Sequence, residues 1–148
     1  MTVGSTSSTK AGTPFGEIAR AVARGAGIAV VGNLALLLIA NVLNVSLNVF
    51  VGPPGPGAQT TTIGPLPVIA FSALPAPVGA LVYWLLTRVS PKGQQIFIVV
   101  AGVVFLLSLL PIFAQPLTSA GMLVLVLMHL VAAAAITWSL VSGMPQRA

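Results

Sequence analysis

The chain has 148 residues, 57% of them hydrophobic and only 5% charged, with a formal net charge of +5, one histidine and no cysteine. So little charge, against roughly 25% in a soluble domain, marks an integral membrane protein. The missing cysteine excludes disulfides, thiolate nucleophiles and Cys-based metal sites, and six cations scattered along the chain form no basic patch for nucleic acid.

Residues 1–12 are Ser, Thr and Gly with no apolar periodicity, and they read as a disordered tail preceding a four-helix transmembrane domain over 13–148. Thr13 and Pro14 form a helix start, with Thr as N-cap and Glu17 placed where the helix dipole favours an anion. Glu17, Arg20 and Arg24 then mark one polar face, with Phe15, Ile18, Ala19 and Val22 opposite. This pattern predicts an amphipathic lead-in at the headgroups.

The first span is expected over about 25–50. It carries no charge and is long enough for a bilayer, which takes about 20 apolar residues. At 100° per residue Asn33, Asn41, Asn44 and Asn48 fall within an arc of roughly 80° on one helix face. Such a stripe requires neighbours, because an amide facing hydrocarbon lacks a hydrogen-bond partner. Gly25, Gly27 and Gly32 favour close helix approach at the start of this span.

Phe50 to Pro65 is dense in Pro, Gly and Thr and cannot hold a helix, so it reads as a loop. A second span is expected over about 66–87, with Ser72, Ala76 and Ala80 as a small-residue stripe and with Tyr83, Trp84 and Arg88 as an interfacial belt. Pro75 and Pro77 deprive the carbonyls of Phe71 and Ala73 of helical donors. After a tight turn at 89–93, a third span is expected over about 95–113, broken by Pro111, Gln115 and Pro116. A fourth comes after it over about 117–140, with Trp138 near its end. In this arrangement all six Lys and Arg fall on one side, which under the positive-inside rule makes both termini cytoplasmic.

With each span centred on the bilayer midplane, Asn41 and His129 come out at similar depth, with Asn44 and Ser108 nearby. Asn41, Asn44, Ser108 and His129 are therefore expected to form one buried polar cluster. A neutral imidazole has one donor and one acceptor and so complements the Asn41 amide. As structural groups these residues join helices; as functional ones they bind or relay a ligand, since ionisable residues at that depth often mark pathways.

Catalysis is not expected. Glu17 is the only acid, so one chain can build neither a carboxylate pair nor a triad nor a carboxylate metal site. No cofactor is expected either, because a haem held by two His ligands would need a dimer. The expected function is that of a non-catalytic polytopic protein binding a membrane partner protein or lipid. The alternative is an oligomeric transporter or channel subunit for a small solute. Besides the bilayer, the partners implied are a second copy or another membrane protein, and not nucleic acid.

An amphipathic lead-in, an Asn-bearing first span, a Pro/Gly/Thr loop, a second span ending YWLLTR and a fourth carrying LMHLVAAAAI together resemble small four-span bacterial membrane proteins classed as a family of unknown function, in which a His of the last span recurs. The resemblance covers roughly Ala19 to Leu140. It implies a multi-pass protein of the cell inner membrane with no assigned activity.

Overall fold

A computed structural model describes residues 14–53 and 55–144. The expected tail over 1–12, the Thr13 cap, Lys10 and Arg147 lie outside the described residues. Four helical segments are long and apolar enough to cross a membrane: Phe15–Val42, Pro65–Val89, Gly93–Ala114 and Ser119–Gly143. The chain is thus an all-α, four-span, multi-pass membrane protein.

Helix α1 (Pro14–Val42) has 29 residues, with Glu17 in its first turn. At 1.5 Å per residue it is about 43 Å long, more than the roughly 30 Å of hydrocarbon in a bilayer. The basic lead-in is therefore continuous with the span instead of a separate surface helix. At its other end α1 stops eight residues short of the expected Phe50 (50 − 42 = 8). The stop is made by Asn44, which adopts φ +53°. Its N–H donates to the Asn41 carbonyl at 3.1 Å, and the Val45 N–H donates to the Ala40 carbonyl at 2.8 Å. This is a Schellman closure with Asn in the left-handed position usually held by Gly.

A hairpin connects α1 to the second span. Strands β1 (Asn48–Phe50) and β2 (Thr60–Thr62) pair antiparallel, with Asn48 opposite Thr62, whose Oγ1 donates to Asn48 Oδ1 at 2.7 Å. The two ends of the expected loop thus pair with each other. It is also tied to the bundle: the Phe50 N–H donates to Gln115 Oε1 at 2.9 Å, and Leu47 is buried.

The second span comprises α2 (Pro65–Ala73) and α3 (Pro75–Val89), which meet at Leu74. Pro75 and Pro77 bring no N–H to the carbonyls of Phe71 and Ala73. Leu74 nevertheless keeps helical angles and donates to Ala70 O at 3.0 Å, so the span is interrupted without unravelling. A turn joins α3 to α4 (Gly93–Leu109). Here a Cβ on Gly93 would collide with the Leu86 carbonyl, an approach only Gly permits. Helix α4 tightens into a 3-10 turn (Leu110–Ala114) beside Pro111, and α5 (Ser119–Gly143) begins under a Thr118 side-chain cap on the Gly121 N–H.

The most extensive helix contact is between α1 and α5, with α2 also seated on α1. A Cβ on Gly25 would lie 3.2 Å from Ile136 Cα and Ser139 Cβ, and one on Gly32 would lie 2.7 Å from Val131 Cγ1. The two helices are therefore antiparallel and close; Gly27, by contrast, faces open space. The small-residue stripe of the second span is buried as expected, at Ser72, Ala76 and Ala80. One apolar cluster gathers Ala21, Ala80, Tyr83, Phe97 and Leu140 at the α3–α4 turn end, and another gathers Leu37, Leu47, Val68, Ile112 and Met128 at the hairpin end. Helix α4 is the least covered: 11% of its apolar window is buried, against 28% for each other span.

Asn44 acts as a helix stop, so Asn44→Gly should leave stability within a few tenths of a kcal/mol, whereas Asn44→Val should cost about 1–2 kcal/mol. Melting temperatures in detergent check this, and an equal loss for both would mean that the amide, not the backbone angle, matters.

Candidate functional site

Between the two apolar clusters lies a cavity of about 980 Å³. Its walls come from α2, α3, α4 and α5, its roof from both hairpin strands, and its floor from Val82 and Phe97. The Phe97 ring stands edge-on to Tyr83 with centroids 5.1 Å apart, which closes the bundle at the α3–α4 turn. Helix α4 packs against α3 and α5, but α2 is packed on α1 and makes no comparable contact with α4. The cavity consequently opens sideways, between α2 and α4, toward lipid.

The lining is almost wholly apolar, with Asn33, Ser72, Ser108, His129 and Thr137 among its few polar groups. Asn33 and Ser72 are both buried, and Asn33 Nδ2 donates to Ser72 Oγ at 2.8 Å. Asn33 Oδ1 is buried with no partner among the described residues. His129 Nδ1 lies 2.8 Å from Leu125 O, on its own helix. A carbonyl oxygen only accepts, so Nδ1 carries the proton and Nε2 holds the lone pair in the neutral ring. Nε2 has no hydrogen bond among the described residues.

The α1–α5 register fixes depth. Gly32 faces Val131, which is the midpoint of α5, so Asn33 is level with His129 near the centre of the bundle. Asn41, the expected partner of His129, is two turns nearer the hairpin. The four expected cluster residues are split accordingly. Asn41 and Asn44 line a separate pocket of about 200 Å³ beside Ser46 and Thr62, while Ser108 and His129 line the main cavity. Ser108 donates to Phe105 O at 2.6 Å within its own helix. Asn48 is in the hairpin. The polar pair that the bundle does bury, Asn33 with Ser72, was expected only as an Asn of the stripe and a small residue of the next span.

At the opposite end, Arg24 donates to Ser139 Oγ at 3.4 Å, to Ser139 O at 3.3 Å and to Ser142 Oγ, and stacks 4.6 Å from the Trp138 ring centroid. Arg88 stacks 4.5 Å from the Trp84 ring. Both tryptophans are exposed, as an interfacial belt requires. Tyr83, also expected there, is buried against Phe97, with its hydroxyl unpaired among the described residues.

Stability should track the hydrogen bonds. Ser72→Ala strands the Asn33 amide and should cost about 1–3 kcal/mol. His129→Leu removes only a bond to a carbonyl of its own helix and should cost under about 1 kcal/mol, close to the average for intramembrane hydrogen bonds. Thermal melts of the two variants in detergent check the order; a larger loss for His129→Leu would mean that the ring has a partner across the bundle.

Comparison with known proteins gives one family. Neither the curated proteins nor the solved structures yield a match. The model of a family of unknown function, DUF6069, matches residues 13–145. That match takes in all four spans, the hairpin and every residue of the cavity, and the chain belongs to this family of unknown function.

Proposed function

We propose that the protein is a non-catalytic lipid-binding protein that holds an apolar, lipid-like molecule in the lateral cavity, in a bacterial inner membrane with both termini cytoplasmic. The observation that carries this reading is the cavity itself. Its 980 Å³ lies at the upper end of the roughly 300–1,000 Å³ typical of small-molecule sites. It is walled by Val, Phe, Ala, Leu and Ile, with a few convergent polar groups, and opens where lipid is the surrounding solvent. An ion or solute path needs a polar lining, and the apolar walls favour a lipid over a small polar solute. The Asn41 and Asn44 amides, which could have supplied such a lining, are outside the cavity.

The orientation rests on the cations. Arg24 is clamped to the end of α5, and Arg88 and Lys92 flank the α3–α4 turn, so they share the end of the bundle where α1 begins. The positive-inside rule makes that end cytoplasmic.

Two experiments test these readings. Ala101 is a half-buried lining residue on the loosely packed α4, so Ala101→Phe should fill the cavity and lower the amount of lipid retained through detergent washing, measured by native mass spectrometry. Unchanged retention by a normally melting variant would overturn lipid binding. For orientation, single cysteines at the exposed Thr61 and Lys92 should react with an impermeant maleimide from opposite faces of intact cells or vesicles, Thr61 from outside. Labelling of Lys92→Cys from outside would invert the assignment.

A further inference from the structure

Resting on the reading of the cavity as a lipid site, we infer that its occupant is a neutral single-chain lipid whose polar end carries hydroxyl donors, and that this end is placed at the level of Asn33 and His129. Among the described residues, the two polar atoms left without a partner at that level are both acceptors. Nε2 of His129 is an acceptor because Nδ1 is committed to the Leu125 carbonyl at 2.8 Å. Asn33 Oδ1, a carbonyl oxygen and so an acceptor, is buried without a donor, while the amide's Nδ2 donates to Ser72 Oγ at 2.8 Å. Asn33 and His129 both line the cavity.

An acceptor that faces an apolar cavity, or is buried beside it, is satisfied only by a donor. The occupant must therefore bring O–H or N–H groups, and a molecule offering only acceptors, such as an ester, an ether or a carboxylate, leaves both atoms as they are. Charge is disfavoured for a separate reason. His129 lies two residues from Val131, the centre of the 25-residue helix α5, so the polar end sits in mid-bundle. Among the described residues no Asp, Glu, Lys or Arg lines the cavity, and an ion at that depth would be unpaired. A phosphate headgroup or a fatty-acid anion does not fit this position. A hydroxylated end does, with its single chain lying along the Val and Phe side chains of α3 and α4.

The test compares matched lipids on the full chain in phosphatidylcholine nanodiscs. The probes are 1-O-hexadecylglycerol, which has two hydroxyls, its di-O-methyl ether, which has the same chain and no donor, and palmitate. The readout is the melting temperature from Trp84 and Trp138 fluorescence. The diol should raise the melting temperature more than the ether, and palmitate should do no better than the ether. In Asn33→Leu/His129→Leu the diol and ether should become equal while the ether response persists, which a merely structural role for the two residues would not produce. Should that double variant fold poorly, His129→Leu alone should narrow the gap. Equal responses of the unaltered protein to diol and ether, or a larger response to palmitate, would overturn the donor assignment while leaving the apolar site standing. No response to any of the three would overturn both.

Discussion

The close antiparallel seam between α1 and α5 governs this molecule. In lipid, helices gain little by hiding apolar surface from one another, so backbone approach and interhelical hydrogen bonds determine the packing. Gly25 and Gly32 let α1 come within van der Waals distance of Val131, Ile136 and Ser139. That contact sets which residues of the two helices share a depth, and hence which polar groups meet. Helix α2 then settles on α1 through Asn33 and Ser72. Helix α4, with no small-residue seam of its own, is held by the Gly93 turn at one end and by its 3-10 turn at the other. The cavity is the space left by a bundle in which α1 packs on both α5 and α2, while α4 packs on α3 and α5 and not on α2.

The polar groups obey the rule that lipid imposes on every donor and acceptor. Ser108, Thr87 and Ser142 spend their hydroxyls on carbonyls of their own helices, three or four residues back. Arg24 satisfies its guanidinium with the terminal turn of α5, where free carbonyls and the negative end of the helix dipole favour a cation. The hairpin pairs its strands and borrows Gln115 for the remaining Phe50 N–H. Against this background, among the described residues, an Asn33 oxygen buried without a donor and a His129 nitrogen without a partner stand out beside the unpaired Tyr83 hydroxyl, and Asn33 and His129 belong to the same cavity.

Much of the architecture was legible in the chain. Four apolar stretches separated by Pro- and Gly-bearing turns gave four spans, because length and hydropathy alone decide insertion. The buried stripe at Ser72, Ala76 and Ala80 was visible because small residues four apart lie on one helix face. The candidate cluster was less legible. Periodicity at 100° per residue presumes that the helix continues, and Asn44 ends it; its tolerance of left-handed angles was the overlooked sign. Once α1 stops at Val42, Asn48 belongs to a strand and Asn41 to the separate pocket beside the hairpin. Centring each span on its own midpoint also misjudged depth, since α1 extends well before its apolar run, and it is the contact of Gly32 with Val131 that puts Asn33 at the level of His129.

The Arg24 clamp has a bearing on how the chain assembles. Asn33 and Ser72 are separated by 39 residues, so their bond can form once the first two spans are in the membrane. Arg24 and Ser139 are 115 residues apart, nearly the whole chain. Until the last span arrives, the guanidinium has no carbonyls to hold and the glycine face of α1 lies bare against lipid. The seam that organises the finished bundle is thus the last to close during synthesis. Insertion of the early spans must rest on hydropathy and the Asn33–Ser72 bond alone, with the long-range pairing, intrinsically slow because of the sequence separation it spans, completing the fold.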